Sequence, residues 1–322
     1  MVVQVKKYTP QDLQSWNQFV VNAKNSTFLF TRGYVDYHQH KFTDHSLMIY
    51  ADGNLSALFI ANETGDTIES HSGLTYGGLI LEKDARLERV IQYFYHLTKY
   101  YSNRFKRIIY KCVPSYFQSL PAHEDLYALF LLNAKLFRRD MSMVLDMTEP
   151  APVKRRTSRS FKLFESGQYR IVTTGDPDKF WNEILIPNLK DRFGAGPVHT
   201  VAEMKLLKEQ FPGNIMIFEV YDNQQVIAGA VVYVMENTAH LQYISANEHG
   251  READASGVLI HHLITKILAG KTWFGFGTSN TDEGRKLNRG LAGWKEGFGA
   301  KAFPHDFYEI ETANYTLLKD YE

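Results

Sequence analysis

Lys295 stands two residues before the stop Gly297-Phe298-Gly299. It ends a segment that runs from an aromatic strand, Trp273-Phe274-Gly275-Phe276, through the polar loop Gly277-Thr278-Ser279-Asn280, into a helical stretch. A strand that opens into a polar loop and feeds a helix is a common place for an active site in an α/β sheet. A fixed ammonium there could stabilise negative charge on an acyl oxygen or meet a donor phosphate. Thr278, Ser279 and Asn288 offer hydrogen-bond groups beside it, although helix capping and turn chemistry would use the same residue types. Arg192 closes another helical stretch just before Gly194. A guanidinium suits bidentate binding of phosphate or carboxylate; the helix dipole alone would also favour a cation there. Tyr243, in Gln242-Tyr243-Ile244-Ser245-Ala246, is a second catalytic candidate, with a core role as its alternative. In the first half, His71 and Tyr76 lie in the glycine-bearing run His71-Ser72-Gly73-Leu74-Thr75-Tyr76-Gly77-Gly78 and are candidates for substrate binding.

These types are compatible, among other chemistries, with acyl transfer to an amine by direct attack. It needs a neutral, aimed amine, a stabilised oxyanion and a protonated leaving group, but no covalent nucleophile. Gly-x-Ser-x-Gly is absent, and Ser70 and His71, adjacent on a strand, would point to opposite faces. The single cysteine, Cys112, lies in an apolar run and reads as a buried thiol. His38 with His40 and His261 with His262 do not have metal-ligand spacing, and no His-Glu-x-x-His or paired cysteine motif occurs, so no metal is expected.

The elements that must position these residues fall into two similar series. The first half reads as a helix over 10–23, a hairpin over 46–61 turning at Asp52-Gly53, a helix over 85–101 and a strand over 107–113. A helix near 125–137 and a strand over 140–147 follow. The second half reads as helices over 177–189 and 201–210, strands over 214–221, 226–235 and 240–245, a helix over 255–268 and a strand over 272–277. A helix over 285–295 and a strand over 303–311 close it. The shared order strand, helix, strand at the end of each half suggests an internal duplication of an α/β domain. The seam is the proline-bearing Thr148-Glu149-Pro150-Ala151-Pro152-Val153, giving domains 1–150 and 151–322.

Composition narrows the partners. The 322 residues carry 36 Lys+Arg and 36 Asp+Glu, a balance that argues against general charge-driven binding to DNA or RNA. The basic run Lys154-Arg155-Arg156-Thr157-Ser158-Arg159 leaves room for a local contact with an anion. No apolar run approaches the ~18 residues of a membrane span. The amino terminus lacks the apolar core of a signal peptide, and a cytoplasmic protein is expected.

Two tandem halves in this order resemble the FemAB-like family of the GNAT acyltransferase superfamily, in its armless form. The most specific match is Phe274-Gly275-Phe276-Gly277 followed by Lys295-Glu296-Gly297-Phe298-Gly299-Ala300. Weaker ones are Lys154-Arg155-Arg156 with Phe161-Lys162 and Gly167, and Leu189-Lys190-Asp191-Arg192-Phe193-Gly194. Tyr76-Gly77-Gly78-Leu79-Ile80 matches the family's first-domain strand, but Gly77 stands where the family commonly has arginine, and its first-domain lysine has no counterpart. The resemblance implies mixed α/β sheets, two GNAT-like domains with a cleft between them, and the active site in the second. It implies transfer of an acyl or aminoacyl group to the amine of a small molecule or peptidoglycan precursor. The departures in the first domain put the peptidoglycan precursor in doubt. No permanently bound cofactor is implied; the donor is acetyl-CoA, another acyl-CoA or an aminoacyl-tRNA. With tRNA, contact would be limited to the acceptor end, with Lys154, Arg155, Arg156 and Arg159 contributing. Acetyl-CoA users of the superfamily carry a glycine-rich pyrophosphate loop, and the equivalent stretch here, His249 to Gly257, has Asp254 where its first glycine should stand. Two alternatives remain open: an acetyl-CoA-dependent N-acetyltransferase, and a catalytically degenerate binding or scaffold module.

Overall fold

The computed structural model describes residues 2–149, 160, 162, 164 and 167–322. The basic run at 154–159 and the seam at 150–153 lie outside them. Two compact units emerge. The first comprises Met1–Asp140, Asn280–Lys286 and Pro304–Glu322; the second comprises Met141–Ser279 and Leu287–Phe303. This differs from a division at residue 150. The chain passes between units within single strands, at Asp140/Met141 in Lys135–Asp146 and at Phe303/Pro304 in Lys301–Glu311.

In the first unit, Val3–Lys7, Leu47–Ala51, Asn54–Phe59 and Leu79–Leu81 form an antiparallel sheet in that order. Asp52 and Gly53, both at positive φ (49° and 84°), make the tight turn that the Asp-Gly pair announces. Arg107–Lys111 pairs parallel with Thr67–Glu69 and antiparallel with the end of Lys301–Glu311. The amphipathic helix Leu87–Ser102 buries Tyr93, Phe94, Leu97 and Tyr101 at helical spacing in a core shared with Phe59, Tyr110, Ile310 and Leu318. The next helix is Glu124–Leu131, shorter than the pattern of residues suggested. Asn133 takes the left-handed conformation (φ 53°) and ends it, and the strand begins at Lys135.

In the second unit, Tyr169–Thr174, Ile215–Asp222, Gln225–Val234 and Thr238–Ala246 form an antiparallel meander. Trp273–Thr278 joins it in parallel, and the Met141–Asp146 part of Lys135–Asp146 adds on antiparallel. Alternating apolar residues of these strands (Phe218, Val220, Ala228, Ala230, Val232, Phe274, Phe276) pack with Leu259, Leu263 and Phe298 into a second core. The helix expected over 177–189 is a π-turned segment, Phe180–Leu185, running into an α-helix, Ile186–Phe193. Pro187 has no amide proton to give to the regular ladder, which suits such a change of winding. Phe180 lies flat on Gly229, where a Cβ would come within 2.3 Å of the ring. The last helix of this unit is Arg289–Glu296, four residues later in its start than expected. Residues 280–287, all but the last counted with the first unit, instead make a small hairpin whose Asp282, Glu283 and Gly284 all have positive φ.

Candidate functional site

The Thr238–Ala246 and Trp273–Thr278 strands pair only from Thr238/Trp273 to His240/Gly275. Beyond that point the two do not pair with each other, so they part. Gln242 is an extra residue in the ladder with Gln225–Val234, since Val231 faces Tyr243 while Val232 faces Leu241. At the C-terminal end of Thr238–Ala246 lies a cavity of about 600 Å³, wholly within the second unit. Its walls come from four places. Leu185, Asn188, Leu189 and Arg192 recur at three- and four-residue spacing and so share one helix face. Ile244, Ser245 and Ala246 come from the strand, and Gly250, Arg251, Asp254 and Ser256 from the short helix Glu248–Glu252 and the start of Ala255–His262 after it. Asn288, Leu291 and Trp294, again three apart, come from the helix Arg289–Glu296 and its capping residue.

Polar groups here are tied to one another. Asn188 Nδ2 donates to Ser245 Oγ at 2.8 Å, and Arg251 donates to Asn188 Oδ1 at 3.1 Å and to the Ala246 carbonyl at 2.9 Å. Asp254 adopts a left-handed conformation (φ 55°) before the helix Ala255–His262. Its carboxylate lies over Gly257 in the first turn: a Cβ on that glycine would meet both carboxylate oxygens at 2.7 Å. A negative side chain thus occupies the helix end that attracts anions.

Lys295 does not line the cavity. It is 3% exposed and donates to the carbonyls of Gly277 (2.9 Å) and Thr278 (2.6 Å). With Ala292 it forms the buried side of its helix, and loss of hydration lowers its pKa to about 8. Thr278 contributes that carbonyl and pairs with Ser142. Ser279 is fully buried; its amide donates to the Met141 carbonyl, its carbonyl accepts from Asn288, and its hydroxyl has no hydrogen-bond partner. Asn288 caps the helix, Oδ1 accepting from Leu291 N–H at 3.0 Å, and also reaches the cavity wall. Lys295, Thr278, Ser279 and Asn288 therefore form one connected group, with only Asn288 at the cavity.

Arg192 is exposed at the cavity edge, and Gly194, at φ 60°, ends its helix. Tyr243 is away from the lining. Its hydroxyl accepts from His199 N–H at 3.2 Å, stands 2.6 Å from His199 Nδ1, and is pushed up to about 12 by burial. It anchors His199, whose carbonyl accepts from Trp181. His71 and Tyr76 belong to the first unit. His71 is 2% exposed at φ 48°; its Nδ1 accepts from Gly73 N–H at 3.2 Å, its carbonyl accepts from Lys111, and burial lowers its pKa to about 3. Tyr76 is 1% exposed and packed on Phe30 and Phe117, with its hydroxyl 2.9 Å from Thr27 Oγ1. Cys112 is also buried there, which pushes its thiol up.

Asn188, Ser245 and Trp294 were not singled out from the sequence. The signal for Asn188 was present: it lies one turn before Arg192 on the same face. Ser245 has no comparable signature. Among the described residues no cluster of three His, Cys, Asp or Glu could hold a metal ion, and no helix is long and apolar enough to cross a membrane.

Residues 153–295 match the family model described as an acetyltransferase (GNAT) domain. No curated protein matches the sequence. Solved structures share the fold at low identity. FemX aligns over 98% of this chain and 100% of its own, with TM-score 0.68 and 11% identity. The C-terminal domain of a putative lysylphosphatidylglycerol synthetase from Agrobacterium fabrum aligns over 95% and 93%, with TM-score 0.57 and 11% identity. A tandem GNAT protein from the clavulanic acid biosynthesis pathway aligns over 97% and 99%, with TM-score 0.53 and 10% identity. Residues 153–295 thus carry a domain of the GNAT acetyltransferase type. Over nearly its whole length the chain shares its fold with FemX and with the tandem GNAT protein.

Proposed function

We propose that the protein transfers an acyl or aminoacyl group to an amine by direct attack, with the donor's acyl end in the second-unit cavity and a cell-envelope precursor or related small molecule as acceptor in the cytoplasm. The observation that carries this reading is the cavity of about 600 Å³ at the end of the parted strands, an opening large enough for a small ligand. Leu185, Leu189, Leu291 and Trp294 give it apolar walls, and Arg192 offers a guanidinium at its edge for a carboxylate or phosphate. Lys295 acts through the chain: it fixes the Gly277 and Thr278 carbonyls where the loop turns into the helix that carries Asn288 and Trp294. The amine must be neutral when it attacks, and no covalent enzyme intermediate forms.

Charge bears on the choice of donor. Asp254 over the first turn of Ala255–His262 opposes a pyrophosphate there, which favours an aminoacyl ester over a CoA thioester. The name of the Agrobacterium relative, a lysylphosphatidylglycerol synthetase, points the same way. Acetyl-CoA stays as the second reading because the matched domain is described as an acetyltransferase. The test is a transfer assay with acetyl-CoA and with a set of aminoacyl-tRNAs, each against a panel of amino sugars and peptidyl amines, read by mass spectrometry. Mass gain on an acceptor from aminoacyl-tRNA supports the first reading, and gain from acetyl-CoA alone supports the second. No transfer from any donor would leave the degenerate binding module.

A further inference from the structure

Four cavity residues form a hydrogen-bond chain whose direction is fixed at one end. The Arg251 guanidinium has only protons to give. It gives them to the Ala246 carbonyl and to Asn188 Oδ1, so the Asn188 amide is oriented with its oxygen toward Arg251. Its nitrogen then faces Ser245 and donates to Oγ at 2.8 Å. Ser245 is thereby committed as an acceptor, and its own proton must point elsewhere. Among the described residues it meets no acceptor, neither Asp254 nor any other. Ser245 is 6% exposed and lines the cavity. A buried hydroxyl with an unplaced proton is ready for a ligand acceptor, since leaving such a group unpaired is unfavourable.

We propose that Ser245 is the donor on which the cavity seats the carbonyl oxygen of the acyl group, with Asn188 and Arg251 as positioning residues that hold its proton toward the ligand. This rests on the reading that the acyl end of the donor enters this cavity. Ser245 presents one proton and no charge, and Leu185, Leu189, Ile244 and Trp294 give the remaining wall an apolar character, which suits a neutral carbonyl. Asp254 in the same lining disfavours a second anion. During transfer the amine nitrogen forms a bond to the carbonyl carbon, and the carbonyl π pair moves onto the oxygen held by Ser245. On collapse that pair re-forms the carbonyl and the bond to the leaving group breaks. The leaving group departs with the electron pair and is neutralised by the proton lost from nitrogen. A hydrogen bond aimed at the oxygen strengthens as charge builds there.

The decisive variant is Asn188→Asp. It is nearly isosteric, but a carboxylate accepts from both neighbours, so the Ser245 proton would turn back toward residue 188 although the serine is still present. The probe is the acetyl thioester of N-acetylcysteamine, ¹³C-labelled at the thioester carbonyl, with the carbonyl stretch read by infrared difference spectroscopy. The wild type should shift the bound carbonyl to lower frequency. Ser245→Ala and Asn188→Asp should both abolish the shift, and Ser245→Thr should retain it. In a working transfer assay both losses should lower kcat by about a hundredfold. Melting temperatures show whether each variant is folded. No shift in the wild type, or a shift unchanged in folded Ser245→Ala or Asn188→Asp, overturns the proposal. The spectrum needs binding and not turnover. A Ser245-dependent shift without transfer would therefore sink the proposed activity alone.

Discussion

At the scale of the residue, Lys295 shows how one side chain can attract attention for one reason and matter for another. Its type and its place before Gly297 suggested a charge aimed at the reaction. In the fold its ammonium gives two protons to the Gly277 and Thr278 carbonyls and little of it meets solvent. Lys295→Met should leave two inward-facing carbonyls without a donor and cost on the order of 1–3 kcal/mol in urea unfolding. The pH dependence follows from its pKa, lowered to about 8 from 10.5. Between those values the unfolded chain holds a proton that the folded chain has released, so the wild type gains stability from this group as pH rises from 8 toward 10.5. The variant lacks that gain. The stability gap between wild type and Lys295→Met should therefore widen from pH 7.5 to 9.5; a constant gap would mean an ordinary lysine. What the sequence hid was the face: Ala292 and Lys295 turn inward, while Asn288, Leu291 and Trp294 turn to the cavity. That split is helical periodicity, and it becomes readable once the helix is known to start at Arg289.

At the scale of the element, helix boundaries decide what a site can bind. The Ala255–His262 helix begins where its expected counterpart does, and the residue before it, Asp254, was legible as an obstacle to pyrophosphate. Its left-handed φ of 55° was not, because that conformation depends on how the Glu248–Glu252 helix hands the chain over. Glycine and asparagine both tolerate this conformation. Asp254→Gly and Asp254→Asn should consequently fold, remove the negative charge and bind acetyl-CoA about tenfold or more tightly than the wild type by calorimetry. Equal affinities in all three proteins would show that the carboxylate sets no donor preference. The π-turned Phe180–Leu185 segment has a similar lesson. The apolar spacing of 177–189 announces a helix, but the change of winding around Pro187 sets which residues, Asn188 and Arg192 among them, reach the cavity.

At the scale of the whole molecule, two properties follow from where groups are buried. His71 and His305 are both in the first unit, both buried, and both held neutral, with pKa values lowered to about 3 and about 4. Unfolded histidines take up protons near pH 6.5, so stability should fall as pH drops from about 6.5 toward 4, with uptake of about two protons on unfolding. His71→Asn, which accepts the positive φ, should reduce that uptake by about one; an unchanged slope would remove His71 from the account. The second property is the division of the chain. The tandem order of elements was legible because helix and strand periods repeat in both halves. The membership of the units was not, since nothing in a strand's pattern reports which core its ends will join. Residues 1–150 alone lack Pro304–Glu322, and with it the antiparallel partner of Arg107–Lys111 and the buried Ile310 and Leu318. They also lose the Thr312 hydroxyl donated to the Phe105 carbonyl and the Asn314 amide donated to the Leu132 carbonyl. An open edge beside a core missing two large aliphatic side chains exceeds what a domain of marginal stability tolerates. The fragment 1–150 should therefore show no cooperative thermal transition and should aggregate, whereas the full chain melts cooperatively. A soluble fragment with a sharp melt and native near-ultraviolet circular dichroism would mean that the first unit is complete without Pro304–Glu322.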